Sequence, residues 1–253
     1  MRLAVIVPVY NESLMLPGLL LPLRKQFDDD FDVVICDNGS TDGSQAFVQS
    51  VIDRFGMKRW TLIEEPQKGT GAAADTAAWY AIEHGATHIA RIDADCVPEP
   101  NWTEAVKRGF TETEDVLFGG LLEPRHDEVG RLRYLFLVLV NEFVVWTGRL
   151  LPENRGSEFH GPYIVVSGGN MAITADMYDR AGGFPRTSIE QSHEDRDLTH
   201  AVRRLTPHYG LHRDMVVHAS MRRIRAWGVV KTLAWYAGHR YRPRNNEGVD
   251  VRS

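Results

Sequence analysis

In its first half the chain alternates short apolar runs with helical patterns, and that rhythm restricts the fold more than any other feature. Leu3–Val9 is nearly all apolar and β-branched, as expected of a strand covered on both faces. Residues 12–26 then carry leucines at helical spacing. Residues 31–36 predict a second strand, followed by the polar exit loop 37–44. Residues 44–55 predict a helix with Val48, Val51, Ile52 and Phe55 on one face. Trp60–Glu64 reads as a third strand, 70–84 as an alanine-rich helix whose small side chains allow close packing, and His88–Ile92 as a fourth strand. This succession builds β-α-β units around a mostly parallel sheet. Open sheets of that kind bind ligands at the carboxyl ends of their strands. Three polar clusters, at residues 8–12, 37–42 and 93–95, sit at such exits.

The second half is less regular. Residues 102–113 predict a helix, 115–122 a strand and 131–149 a long amphipathic helix. A Gly- and Pro-containing stretch at 152–162 reads as a loop. Residues 164–173 form a strand pattern interrupted by Ser167-Gly168-Gly169-Asn170; 195–205 predict a helix and 215–218 a last strand. No repeat, low-complexity tract or linker stands out, so a single domain over residues 1–253 is expected.

Composition excludes several classes. A hydrophobic fraction of 43% and a charged fraction of 25% belong to an ordinary globular chain. The net charge of −5 offers no global basic field for nucleic acid. Two cysteines, Cys36 and Cys96, form neither a disulfide framework nor a metal cluster, which favours a reducing, cytoplasmic setting. The N-terminal apolar run is too short for a signal peptide and lacks a small-residue cleavage site. The apolar stretch 134–146 rises only about 20 Å as a helix and is broken by Asn141 and Glu142, so no transmembrane span is expected.

Asp93 and Asp95 carry the clearest chemistry. Carboxylates two apart on an extended strand end face the same side, about 6.5–7 Å apart. They repel unless a cation lies near, and Mg²⁺ or Mn²⁺ takes one or two carboxylates together with substrate phosphates. By themselves, the two residues read first as solvated loop aspartates, since such a triplet is common.

Their neighbourhood narrows the choice. The stretches Val5-Ile6-Val7-Pro8-Val9-Tyr10-Asn11-Glu12, Cys36-Asp37-Asn38-Gly39-Ser40-Thr41-Asp42-Gly43-Ser44 and Lys68-Gly69-Thr70-Gly71-Ala72-Ala73 precede Asp93-Ala94-Asp95. Ser167-Gly168-Gly169-Asn170, Gly182-Gly183-Phe184 and His193-Glu194-Asp195 follow it. In this order and spacing, over roughly residues 3–220, the chain resembles the family-2 glycosyltransferases of the GT-A fold. The resemblance implies an α/β fold with a mixed, mostly parallel sheet flanked by helices. Residues 1–100 would form the nucleotide-sugar-binding half and 101–220 the acceptor and catalytic half, with 221–253 a basic-aromatic C-terminal segment.

The resemblance also implies roles. Pro8, Tyr10 and Glu12 would line the nucleoside pocket, with Tyr10 against the base and Glu12 on a ribose hydroxyl. Asp37 would accept from a base N–H, which suits UDP or GDP, and it also suits an Asx turn before Asn38-Gly39. Lys68 would reach the nucleotide, although it reads equally as a turn lysine, and the order required for a Walker A loop is absent. Asp95 would be the direct ligand of Mg²⁺ or Mn²⁺, with Asp93 shared between ribose and metal; His218 would be a further ligand, although a lone histidine also reads as structural. Asp195 would be the general base of an inverting transfer, with Glu194 orienting the acceptor or a loop. These two acids also suit a charged helix start. Gly168, Gly169 and Asn170 would approach the donor sugar or the acceptor. Asp42 and Asp75 read as helix-initiating or surface carboxylates.

The acceptor implied is a glycan, a lipid-linked or a small-molecule hydroxyl. Arg222, Arg223, Arg225, Lys231, Arg240, Arg242 and Arg244 alternate with Trp227, Trp235, Tyr236 and Tyr241. Such a segment suits a lid over a diphosphate, plain packing, a homodimer contact, or peripheral contact with the inner face of a membrane. Competing readings are a retaining transferase on the same fold and a catalytically silent nucleotide- or glycan-binding module. A nucleotidyltransferase is disfavoured, since no glycine-rich loop follows the first strand.

Overall fold

The computed structural model describes residues 1–125, 127–130, 132, 134–139, 154–186 and 193–236. The apolar rhythm of the first half becomes β1 (Leu3–Val9), α1 (Leu16–Leu23), β2 (Phe31–Asp37), α2 (Ser44–Phe55), β3 (Trp60–Glu64), α3 (Thr70–Glu83) and β4 (His88–Ile92). Then come β5 (Cys96–Pro98), α4 (Trp102–Glu112), β6 (Leu117–Pro124), β7 (Asn170–Thr174) and α5 (Ala175–Arg180). The last elements are α6 (Glu194–Leu205), β8 (Tyr209–Ala219) and α7 (Arg222–Tyr236).

These strands form one sheet in the order β3-β2-β1-β4-β7-β6-β8-β5. The first four are mutually parallel. β7 enters antiparallel between β4 and β6, β8 runs parallel to β6, and β5 closes the edge antiparallel to β8. The expected mixed, largely parallel sheet between helices is therefore the observed one. Chain order reverses between β1 and β4, and a sheet opens a ligand crevice at such a point. Pro8–Glu12 leaves one of these strands and Asp93–Asp95 leaves the other.

The core lies on both faces of this sheet. Leu3, Val5, Val7 and Val9 of β1 pack with the α1 leucines Leu16, Leu19, Leu20 and Leu23. Ala4 and Ile6 face the opposite layer, with Ala73, Ala74, Ala77, Ala78 and Ala81 of α3. Burying each leucine contributes about 1.5–3 kcal/mol. The alanines contribute less area, but their size brings α3 close to the strands.

Several expected boundaries move. The helix expected at 12–26 shrinks to Leu16–Leu23, because Pro17 sits in its first turn and residues 11–13 bond to the side chains of the neighbouring loop. The strand expected at 164–173 starts only at Asn170, whose N–H turns back to Ser167, so Ser167–Gly169 leave the ladder. The short last strand lengthens to Tyr209–Ala219, since exposed Arg213 and Asp214 mask its periodicity at a register shift opposite Gly120/Leu121. β5 and α5, too short to show a period, were not expected.

Within the helix expected at 131–149, residues 132 and 134–139 are helical, and 140–149 lie outside the described residues. Of the loop expected at 152–162, residues 154–162 are described and irregular. Arg240, Tyr241, Arg242 and Arg244 lie outside the described residues. Among those described, no helix is long and apolar enough to cross a membrane.

Candidate functional site

The exits of β1 and β2 are stitched into one surface. Asn11 adopts a left-handed φ of 51°. Its backbone N–H donates to Ser40 Oγ at 2.9 Å, and its Oδ1 accepts from Thr41 N–H at 2.9 Å. Glu12 N–H donates to Ser44 Oγ, and Ser13 N–H to Asp42. Asp42 also accepts from Ser44 at the start of α2, and these bonds hold its pKa down at about 2 against partial burial. Its helix-initiating role is thus the one expected. Asn38 ties in the third loop, donating to the carbonyls of Glu65 and Gln67 and accepting from Gly69 N–H. Lys68 is exposed on that loop, and Tyr10 is half-buried beside the β1 exit.

Asp37, only 3% exposed, ends β2. Its Oδ2 accepts from Gly39 and Ser40 N–H groups at 3.1 and 3.0 Å, the Asx arrangement. Its Oδ1 is buried and finds no hydrogen-bond partner among the described residues. An acceptor left so costs about 1–3 kcal/mol unless a ligand donates to it.

At the β4 exit, one arginine organises the acids. Arg91 is 2% exposed, an ion in the middle of a buried strand. Its Nη2 donates to Asp93 Oδ1 at 3.1 Å and to Glu194 Oε1 at 2.8 Å, and its guanidinium lies 5.0 Å over the Phe184 ring. Burial alone would lower its pKa, but Asp93, Glu194 and Asp195 raise it above the usual arginine range. Gly168 is what lets this arginine through, since a Cβ there would lie 2.6 Å from the guanidinium carbon. The Gly168 N–H then donates to Asp195 Oδ2 at 2.8 Å, while Oδ1 accepts from Arg196 N–H. Asp195 retains partial exposure, yet atoms packed around it desolvate the carboxylate. That burial and the adjacent Glu194 push its pKa up to about 6. The motifs around 93, 168 and 195 thus meet at one place.

α3 meets the same place. A Cβ on Gly71 would lie 2.2 Å from the Pro185 carbonyl oxygen and 3.2 Å from Glu194 Cβ. Asp75, expected at a helix start or surface, is instead 6% exposed. It accepts from Tyr178 Oη at 2.7 Å and pairs with Arg186, which also binds Glu65. These bonds hold the Gly182-Gly183-Phe184 turn against α3, with Phe184 N–H donating to Tyr178 Oη.

Two expected ligand residues are engaged elsewhere. The Asn170 amide is fully buried; it accepts from Trp102 Nε1 and donates to the carbonyls of Leu121 and Met215, so its side chain pins the sheet. His218 Nε2 lies 2.6 Å from Glu99 Oε1, and Nδ1 lies 3.9 Å from Glu123 Oε2. Gly169 backs Asp93, with an added Cβ falling 3.5 Å from Asp93 Oδ2.

Arg91 stands outside the motifs expected at the site. The signal was present, because a charged residue inside the apolar run His88–Ile92 has to find acids. Arg222 has no separate role in those motifs either. This first residue of α7 forks onto Glu12, with Nη1 at 2.6 Å from Oε2 and Nη2 on Oε1, and Nη2 lies 3.3 Å from Asp95 Oδ2.

Among the described residues no three His, Cys, Asp or Glu side chains converge as a complete metal shell. The donor set still fits a hard cation. Asp93 and Asp95 offer carboxylate oxygens, and a guanidinium already stands beside Asp95 as a positive stand-in. A cavity of about 560 Å³, lined by Arg155, Phe159, His160 and Tyr163 among others, lies along the 154–163 loop. Arg203 of α6 supports this loop, donating to the carbonyls of Asn154 and Gly161.

The sheet order and the flanking helices are those of the GT-A fold, and comparison with known proteins agrees. The chain covers 96% of its length on the mannosyltransferase PcManGT from Pyrobaculum calidifontis, solved in complex with GDP-Man and Mn²⁺, at 21% identity and TM-score 0.63, and spans 66% of that chain. It covers 92% of its length on S. aureus TarS 1-349 in complex with UDP, at 18% identity and TM-score 0.63, and spans 64% of that chain. The Validoxylamine A glucosyltransferase of Streptomyces hygroscopicus subsp. jinggangensis is 30% identical over 78% of this chain and 50% of its own length. Glycosyltransferase AglE of Haloferax volcanii is 32% identical over 47% of this chain and 39% of its own. The chain thus spans half or less of the curated relatives it matches. The glycosyl transferase family 2 profile matches residues 4–179, and the chain belongs to that family.

Proposed function

We propose that this chain transfers a hexose from a UDP- or GDP-sugar to an acceptor hydroxyl with inversion, and that the transfer depends on a divalent metal. The observation that carries the reading is the meeting of Asp93, Glu194 and Asp195 around Arg91 and Gly168. It sets a strand-exit carboxylate beside a second pair of acids at a helix start, 103 residues along the chain from Arg91 to Glu194.

The nucleoside lies across the joined β1 and β2 exits, with the diphosphate toward the β4 exit. Tyr10 lies against the base, Asp37 Oδ1 accepts a base N–H, and Pro8 and Lys68 complete the nucleotide side. Uracil and guanine both carry such an N–H. Asp93 and Asp95 would hold Mg²⁺ or Mn²⁺, and Glu12 takes the ribose. Such an ion would supply positive charge against that developing on the leaving diphosphate. His218 would be free to join them only if its bond to Glu99 opened.

Asp195 takes the acceptor hydroxyl proton as that oxygen attacks the anomeric carbon. A carboxylate with a pKa of about 6 is ionised at neutral pH and more basic than an ordinary aspartate. Gly168 N–H and Arg196 N–H fix its orientation, and Glu194, held by Arg91, keeps its pKa high.

The test is a donor-hydrolysis screen across UDP- and GDP-sugars with and without Mn²⁺, followed by proton NMR of the anomeric product. Metal-dependent turnover of one donor with inverted configuration is expected. No Mn²⁺-dependent binding of UDP or GDP would defeat the reading in favour of a silent module, and a retained configuration would remove Asp195 as the base.

A further inference from the structure

Arg222 links two acids that the donor reading assigns to different parts of one ligand. Its guanidinium makes a two-pronged contact with Glu12, the ribose acid, and its Nη2 also reaches Asp95, the metal acid. The three side chains are 25%, 11% and 19% exposed, so water screens this bridge little. The start of α7 has an anchor of its own besides the bridge. Glu128 accepts from Ser220 Oγ, Met221 N–H and Arg225. Arg222 therefore spans the crevice from one wall to the other, at the place a cation and a ribose have to share.

We propose that Arg222 is an ionic latch that occupies the donor site in place of the ligand. Its single positive charge neutralises Glu12 and Asp95 in part and holds them in position. A divalent cation on Asp95 repels the guanidinium, and a ribose hydroxyl on Glu12 competes for the same oxygens. Donor entry therefore exchanges Arg222 off both acids and loosens the first turn of α7. The exchange ties the order of the C-terminal helix to the filling of the site. It rests on the assignment of Glu12 and Asp95 to the donor and its cation.

The latch has a thermodynamic consequence. A site that is open for only about one-tenth of the time binds its ligand about tenfold more weakly than one that is always open. Removing the latch should therefore tighten cation binding, the reverse of what losing a ligand-binding residue does. The measurement is Mn²⁺ affinity of the full chain without nucleotide, from the electron paramagnetic resonance signal of free Mn²⁺. Arg222→Gln is compared with wild type and with Arg180→Gln, which removes an equal charge from the exposed surface of α5. Arg222→Gln should bind Mn²⁺ about tenfold tighter than both. Unchanged or weaker affinity in a folded Arg222→Gln protein overturns the latch.

A second arm needs no variant. Hydrogen exchange of the amides at 221–227 in wild type should speed up when Mn²⁺ is added with UDP or GDP, and added protection there also overturns the latch. If wild type binds neither nucleotide in a Mn²⁺-dependent way, the donor assignment itself fails. Normal nucleotide binding with unaltered Mn²⁺ affinity in Arg222→Gln removes the latch alone.

Discussion

Arg91 Nη2 and Glu194 Oε1 lie 2.8 Å apart in the interior, joining the middle of a sheet strand to the first residue of a helix 103 positions later. The pair brings the strand-exit carboxylates and the helix-borne acids to one side of the sheet. It also explains why an ion is tolerated at a strand position that is otherwise apolar.

Arg91→Met should therefore cost more than the loss of one contact. It leaves Glu194 and Asp93 without their cation, and breaking a buried pair from one side costs about 3–5 kcal/mol. Urea unfolding followed by circular dichroism measures the loss. A change below about 1 kcal/mol would show that the acids find other partners.

Asp195→Asn should lower transfer by about 10²–10⁴-fold while leaving UDP or GDP affinity close to wild type, because a general base acts on the acceptor proton and not on the nucleotide. Calorimetric titration of the nucleotide beside a turnover assay separates the two effects. Equal loss of nucleotide binding sinks the assignment.

The pH dependence follows from the raised pKa of Asp195. If Asp195 is the general base, its ionised form is the active one and transfer should rise with pH through about 6 and level off above it. Stability runs the other way for this group. Its folded pKa lies above the ordinary 3.8, so its stabilising contribution is complete below about 3.8 and is lost as pH rises through about 6. The rate profile and the unfolding profile of Asp195→Asn against wild type test the two signs separately.

Asp37→Asn replaces one oxygen by a donor while keeping the shape of the turn. In the proposed donor site the buried Oδ1 accepts the base N–H, so nucleotide affinity should fall by about 10–100-fold. Thermal stability should change little, since the turn uses Oδ2. Isothermal titration with UDP and GDP measures the first effect, and a nucleotide affinity like wild type would exclude base contact.

Gly71→Ala should destabilise by about 1–3 kcal/mol through overpacking. The added methyl meets the Pro185 carbonyl at 2.2 Å and crowds Glu194. Thermal unfolding gives the cost, and transfer should drop with it because Glu194 supports Asp195.

Much of this was legible along the chain. Alternating apolar runs define β1 to β4 and the helices between them, because a strand buried on both faces and a helix buried on one leave different periods. Asp42, bonded at the start of α2, was equally readable, since capping is a contact between near neighbours. Asp75 was misread for the opposite reason. Its partners Tyr178 and Arg186 lie more than a hundred residues away, and nothing local distinguishes a buried acid with such partners from an exposed one.

The layered α/β plan and the placement of three polar clusters at strand ends can be read along the chain, because both follow from short-range hydrophobic periodicity and turn chemistry. Which charges meet depends on the packed fold. It set Arg91 between Asp93 and Glu194, turned Asn170 into the scaffold, gave His218 to Glu99, and laid Arg222 across Glu12 and Asp95. The physical reason is range. Periodicity is written within a turn or two of chain, whereas the partner of a buried charge is fixed by whichever elements the packed sheet brings together.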